Sequence, residues 1–208
     1  MIITISRMFG SGGSDVAARV ADDLGWPLFD NAVVEAVAER LGVSRAEVSS
    51  MEERVPSLAE RIVATLTMSA PEISPGVDDS SLMVTAETRI VDVTKRVMEE
   101  AVAKGNAVLV GRGAQSLLAD RPDALHVFCY ARKPFLVDYA VRHRGVDPAK
   151  AEHEVEERNK QREQYVKRHW GRDWRSFDNY HLCIDTGRIG IAAAADLVSA
   201  AARTRFSL

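Results

Sequence analysis

Residues 2–16 read Ile2-Ile3-Thr4-Ile5-Ser6-Arg7-Met8-Phe9-Gly10-Ser11-Gly12-Gly13-Ser14-Asp15-Val16. An apolar strand runs into a glycine-rich turn, and the turn into the start of a helix. Glycines let backbone N–H groups converge, and a helix N-terminus adds positive potential, so this order of parts builds a cradle for an anion such as phosphate. Laid on the pattern G-x-x-x-x-G-K-[ST], the segment Arg7–Ser14 puts Gly12 on the second glycine and Ser14 on the hydroxyl. Arg7 falls where the first glycine belongs, and Gly13 where the lysine belongs.

Two other readings of the turn are weaker. A dinucleotide fingerprint finds Gly10-Ser11-Gly12 and an acid, Asp30, about 20 residues on. It fails at Asp15, where the third glycine should stand, and Arg7-Met8-Phe9 separate the strand from the glycines. A plain turn would not need small residues throughout Gly10–Gly13, since each glycine adds entropy to the unfolded chain.

Elements alternate along the rest of the chain. Strands are expected at Ile2–Ser6, Trp26–Phe29, Ala107–Val110, Ala124–Tyr130 and His181–Asp185. Helices are expected at Ser14–Leu24, Ala32–Leu41, Ala86–Lys104, Lys133–Arg144, from Asp147-Pro148 to Trp170, and at Ile189–Ala202. Ser44–Glu47 has the form of a capping box, a short helix is expected at Leu58–Leu66, and Pro71–Ser81 reads as a loop. Short apolar strands separated by helices predict an α/β fold, a parallel sheet covered on both faces. At 208 residues the chain fits one domain with an embedded lobe.

Composition narrows the function. The net charge of −3 gives no whole-molecule attraction to nucleic acid or acidic membranes, so an anion site must be local. No apolar run approaches the roughly 20 residues of a membrane span. Met1 leads directly into the first strand, from which a cytoplasmic location is expected. Cys129 and Cys183 lie in apolar strand-like runs and are expected to be buried, reduced thiols. The five histidines make no metal-ligand spacing.

Further along the chain stand Gly25-Trp-Pro-Leu-Phe-Asp30, Val108-Leu-Val-Gly-Arg-Gly113, Val127-Phe-Cys-Tyr-Ala131, the polar run Glu157-Arg158-Asn-Lys160-Gln-Arg162, and Ile184-Asp-Thr186. Together with Ile5-Ser-Arg-Met-Phe-Gly-Ser-Gly-Gly13, and in this order, they resemble the cytidylate kinase-like family of P-loop nucleoside monophosphate kinases. Within it they resemble a divergent branch without the loop lysine. The resemblance implies a three-layer P-loop kinase core with a five-stranded parallel sheet in the order 2-3-1-4-5. It also implies a helical acceptor-binding insert at about 41–88 and a helical lid at about 149–172. ATP and Mg²⁺ are the implied cofactors, and the implied partner is a nucleotide substrate, CMP or dCMP first.

Phosphoryl transfer needs positioned cations and a phosphate cradle. Gly10, Ser11, Gly12, Gly13 and Ser14 are the expected donor-phosphate contacts, with Ser14 also a candidate Mg²⁺ ligand or merely a helix-start serine. Arg112 follows a strand C-terminus, the side on which open α/β sheets bind ligands, and the resemblance implies contact with the acceptor phosphate. Arg158 and Arg162, four apart on one helix face, and Arg7 are candidates to replace the missing lysine. Asp30 is either an acceptor contact or a helix N-cap, and Arg40, Arg54, Arg61 and Arg89 are further candidates. Trp170 and Trp174 stack a base or anchor a loop, the second being the expectation. Two departures from the family pattern fall on the acceptor side: Gly113 stands where an aspartate is usual, and Asp30-Asn-Ala-Val replaces Asp-Ser-Gly. A kinase for another small acceptor and a non-catalytic nucleotide-binding regulator therefore stay open, as does homo-oligomerisation.

Overall fold

A computed structural model describes residues 1–42, 44, 46 and 79–208. The expected short helix at 58–66, half of the one at 44–47, most of the insert, and Arg54 and Arg61 lie outside the described residues.

Strand β1 (Ile2–Arg7) is followed by α1 (Gly13–Leu24), β2 (Leu28–Phe29) and α2 (Asn31–Leu41). After the described gap come α3 (Asp79–Ala103), β3 (Ala107–Val110), the single turn α4 (Ala114–Leu117) and β4 (Ala124–Tyr130). Then follow α5 (Lys133–Arg144), α6 (Ala151–Trp170), β5 (Leu182–Asp185), the short α7 (Thr186–Ile189) and α8 (Ile191–Phe206). The five strands form one sheet in the order β2-β3-β1-β4-β5, all pairs parallel. This is the expected order.

The central strands are buried on both faces; in β1 even the polar Thr4 and Ser6 between the isoleucines are buried. Ile2 packs with Val33, Val37, Ile90, Val97, Met98 and Leu109, under α2 and α3. Ile3 and Ile5 face the other way, against Val16, Val20 and Val198 of α1 and α8. Each fully buried aliphatic side chain contributes about 1.5–3 kcal/mol as an upper estimate, which outweighs the weak β-propensity of any one residue. The sheet is thus fixed by burial of its central strands on two sides. The C-terminal ends of β1, β3 and β4 are left pointing at the turns after Arg7, Val110 and Tyr130.

Several expectations need correction. Helix α3 begins at Asp79, so residues 79–81 are helical where a loop was expected. Asp147-Pro148 does not open α6: the Asp147 carboxylate accepts from the Ala149 N–H at 3.0 Å and its carbonyl from the Lys150 N–H at 2.9 Å. Asp147 thereby makes its own turn, and the helix starts after it. Helix α4 was not expected, and α8 runs on to Phe206. Cys183 is exposed rather than buried, because β5 is an edge strand. It sits opposite Phe128, not Cys129, so the two thiols project from opposite faces and no bridge can join them.

Candidate functional site

The turn after β1 is held by its neighbours at almost every residue. Met8 N–H donates to the Cys129 carbonyl at 2.9 Å, and Phe9 N–H to Asn159 Oδ1 at 2.7 Å. The Ser11 hydroxyl donates back to the Met8 carbonyl at 2.8 Å, and Thr186 Oγ1 lies 2.6 Å from the Ser11 carbonyl oxygen. The closing Ile-Asp-Thr therefore clamps the glycine loop directly.

The glycines are required. Gly10 and Gly12 have φ of +83° and +72°, a region that side chains disfavour. A Cβ on Gly10 would stand 2.2 Å from the Leu136 carbonyl oxygen, and one on Gly12 would stand 2.5 Å from Ile191 Cδ1. Gly12 is the N-cap of α1, so Ser14 is the second helical residue and not the cap. The N–H groups of Gly13 and Ser14 have no intrahelical acceptor, and they open toward the turn at the positive end of the helix dipole. Asp15, the residue that spoils the dinucleotide pattern, accepts from the Tyr139 hydroxyl and from Arg144 Nη2 at 2.8 Å. It ties α1 to α5, and burial together with Asp15 pushes the Tyr139 hydroxyl up to about 12.

Beside the turn lies a small cavity of about 20 Å³, lined by Arg7, Arg112, Arg162, Gln115, Ser6 and Tyr180 among others. Arg7, Arg112 and Arg162 are only 9%, 9% and 8% exposed. Among the described residues its lining holds three guanidinium groups and no carboxylate. Three guanidinium groups lining one cavity give it a positive character that suits an anion. Arg fits that task because its planar fork meets two oxygens at once.

Each arginine is placed by a different element. Arg112 follows β3 between two glycines and has φ +53°, the strained left-handed region. Arg162 comes from α6, and its Nη1 donates to the Arg7 carbonyl at 2.9 Å. Arg7 ends β1 with a terminal nitrogen 3.8 Å from Asp30 Oδ1. Asp30 stands at the N-cap position of α2, as one of its two readings has it, but its side chain makes no capping bond there.

Arg158 stands apart from this group. It donates to Glu154 at 2.6 Å and lies over the Phe9 ring at 4.4 Å, and it does not line the cavity. Arg40 is exposed and pairs with Glu100, and Arg89 is exposed. Trp174 is 4% exposed and packs edge-on against Phe128, as an anchor would. Trp170 closes over Gly113, where a Cβ would lie 2.1 Å from its Nε1.

Sequence reasoning missed Asn159, which holds the loop from α6, and Gln115, which lines the cavity. A buried amide in a polar helix has no local signal. Only the run around Arg158 hinted that this stretch faces the loop.

The family model described as the cytidylate kinase-like family matches residues 2–188. The chain belongs to the cytidylate kinase-like family. No curated protein matches it in sequence. Among solved structures it is similar to an uncharacterized protein from Eubacterium ventriosum, at 20% identity over 97% of this chain and 98% of that one, with a TM-score of 0.69. It is similar also to shikimate kinase from Acinetobacter baumannii in complex with shikimate, at 14% identity over 99% and 93% of the two chains, TM-score 0.53. Deoxyadenosine kinase from M. mycoides, with dCMP and dCDP bound, shares 10% identity over 98% and 100%, TM-score 0.52. At such identities the likeness shows the fold, that of the P-loop kinases. In this cytidylate kinase-like chain the fold places the glycine turn and the three arginines at the same edge of the sheet. Among its described residues no helix is long and apolar enough to cross a membrane.

Proposed function

We propose that this protein transfers the γ-phosphoryl group of ATP to a small phosphorylated acceptor, with a nucleoside monophosphate, CMP or dCMP, as the first candidate. The observation that carries the reading is the carboxylate-free cavity with its three buried arginines beside a glycine turn. Family membership supports the same chemistry.

The residues fit the donor. Gly10 and Gly12 have no room for a side chain, which lets the turn wrap closely around phosphate oxygens. The N–H groups of Gly13 and Ser14 would hold those oxygens. The Ser14 hydroxyl would hold Mg²⁺, which when bound neutralises charge on the phosphates. Arg112 and Arg162 would bind the acceptor phosphate, with Arg7 between acceptor and loop and Asp30 orienting Arg7. An acceptor phosphate oxygen forms the new bond to the γ-phosphorus. The bond from that phosphorus to the β–γ bridging oxygen breaks, and its electron pair leaves with ADP. The protein positions the two and neutralises charge; it lends no atom.

A cavity of about 20 Å³ holds little more than a water. Acceptor entry thus requires α6, the proposed lid within 149–172, to swing away from the turn. The segment 41–88 is the proposed acceptor-binding insert. Arg158 is assigned to the lid's hold on Phe9 rather than to phosphate.

The Gly113–Trp170 contact favours a second reading, a kinase for a smaller acceptor. Trp170 fills the space where a side chain at 113 would reach the acceptor. One experiment covers both readings: ADP release is measured with ATP–Mg²⁺ and a panel of nucleoside monophosphates and small hydroxylated or phosphorylated acids. Turnover with CMP or dCMP is expected. Turnover with a non-nucleotide alone selects the second reading. Binding of ATP without turnover of any acceptor sinks the enzyme in favour of a nucleotide-binding regulator.

A further inference from the structure

The three glycines of the turn are glycine for different reasons. Gly10 and Gly12 have positive φ, so their backbone conformation explains them. Gly13 does not; it is the first residue of α1 in ordinary helical geometry. Its backbone conformation does not call for glycine, which is a poorer helix former than alanine. What forbids a side chain is a neighbour. A Cβ on Gly13 would stand 2.5 Å from Arg7 Cβ, 3.1 Å from Arg7 Cγ and 3.0 Å from Cys129 Cβ. The stem of Arg7 fills the volume through which a side chain at 13 would leave the helix.

Arg7 is itself unexpected. It belongs to a strand whose other residues are all buried, and it too is buried, at 9% exposed. Its guanidinium lies beside the turn, with Asp30 3.8 Å from a terminal nitrogen. Its stem passes the first residue of α1. Its head lines the cavity with Arg112 and reaches toward Asp30. Its carbonyl is gripped by Arg162, which fixes the backbone from which the side chain departs. Arg7 thus runs from the foot of the phosphate turn to the acceptor arginines.

In the motif the glycine precedes the turn and the cation follows it; in this chain the cation precedes and the glycine follows. We infer that the two positions have exchanged parts: Arg7 delivers from the strand the positive charge that a lysine at 13 would deliver from the helix, and Gly13 is glycine to make room for it. The inference goes beyond the kinase reading in its steric half and rests on that reading for the role of the charge.

A double-mutant cycle tests both halves on the full chain. Gly13→Lys, Arg7→Gly and the pair together are compared with the unaltered protein, and Arg7→Met keeps a stem of similar bulk without charge. Thermal midpoints and calorimetric ATP–Mg²⁺ affinity without acceptor are the readouts. Gly13→Lys alone is expected to lower both. Adding Arg7→Gly should return the midpoint to near the original and affinity to within about threefold of it, because stem and charge have only changed places. Arg7→Met should hold the midpoint and weaken ATP by about tenfold or more, the loss of a charge-assisted phosphate contact. Additive midpoints in the cycle overturn the steric half. Unweakened ATP binding by Arg7→Met overturns the charge half. Binding of ATP by the unaltered chain with no turnover of any acceptor overturns the phosphoryl-transfer reading while leaving the exchange standing. Failure of the unaltered chain to bind ATP overturns both that reading and the charge half.

Discussion

Arg112 occupies a left-handed backbone conformation, φ +53°, with a glycine on each side. Such a conformation costs a non-glycine residue about 1–2 kcal/mol, and glycine would remove the cost. Under the proposed function, a guanidinium held in that conformation beside two others serves by its charge. Two substitutions separate strain from charge. Arg112→Ala and Arg112→Gly both delete the guanidinium, so both should lower acceptor-dependent turnover alike, by about 10–100-fold for a lost charged hydrogen bond. ATP affinity without acceptor should change little in either. Only the glycine variant relaxes the backbone, and it should melt about 2–4 °C above the alanine variant for each kcal/mol released in a domain of this size. Equal melting temperatures would show that the turn stores no strain, and undiminished turnover would remove Arg112 from the site.

Among the elements, helix α6 and the turn after β1 form one assembly. Asn159 is 3% exposed; it donates to the Val155 carbonyl at 2.8 Å and accepts the Phe9 N–H at 2.7 Å. The Phe9 ring lies under Arg158 at 4.4 Å and Arg162 at 5.7 Å. Asn159→Leu keeps the bulk and strands the Phe9 N–H in a buried place, a cost of about 1–3 kcal/mol. It should lower the melting temperature by roughly 2–10 °C. Amide exchange at Phe9 should quicken while the β4 amides stay protected, and equal quickening everywhere would mean that the bond stabilises the fold without holding the turn in particular. None of this was legible in the chain, although the sheet was. The doubly buried strands announce themselves by largely apolar runs such as Ile2–Ile5 and the unbroken Ala107–Val110, and the glycine turn by its composition. The detail of α6 depends on docking: Arg158 and Arg162 are indistinguishable by spacing, and only the approach of α6 to Arg7 sends one to the cavity and the other to Glu154. Cys183 reads as core because its strand is apolar, but a place at the sheet edge decides exposure. Asp147-Pro148 reads as a helix start because a local Asx turn and an N-cap use the same residues.

Across the whole molecule the sheet divides chemistry from acid sensitivity. The turn and the arginines sit where Arg7 pairs with Cys129, while Thr4 pairs with His126 three residues earlier, roughly 10 Å away at the spacing of a strand. His126 is 3% exposed, its Nδ1 lies 2.7 Å from Thr4 Oγ1, and its ring stacks on His181 at 5.1 Å. The His126 N–H donates to His181 Nδ1 at 2.8 Å, a bond that requires that nitrogen to be unprotonated. Burial first, then His181, Arg205 and Arg172, bring His126 down to about 4, and burial with Arg205 lowers His181. Both rings are therefore neutral in the folded protein at pH values where the unfolded chain already binds protons. Stability from this pair is complete above the unfolded value of about 6.5 and is lost as pH falls from there toward 4, by at most about 3 kcal/mol for His126. Urea midpoints should fall between pH 7.5 and pH 5, a range that stays above most carboxylate titration. His126→Gln, which can still meet the Thr4 hydroxyl, should flatten that fall while leaving the pH dependence of ATP binding unchanged. A fall of the same size in the variant would place the acid sensitivity elsewhere in the fold, and a shift in the ATP profile would mean that the two ends of the sheet are coupled.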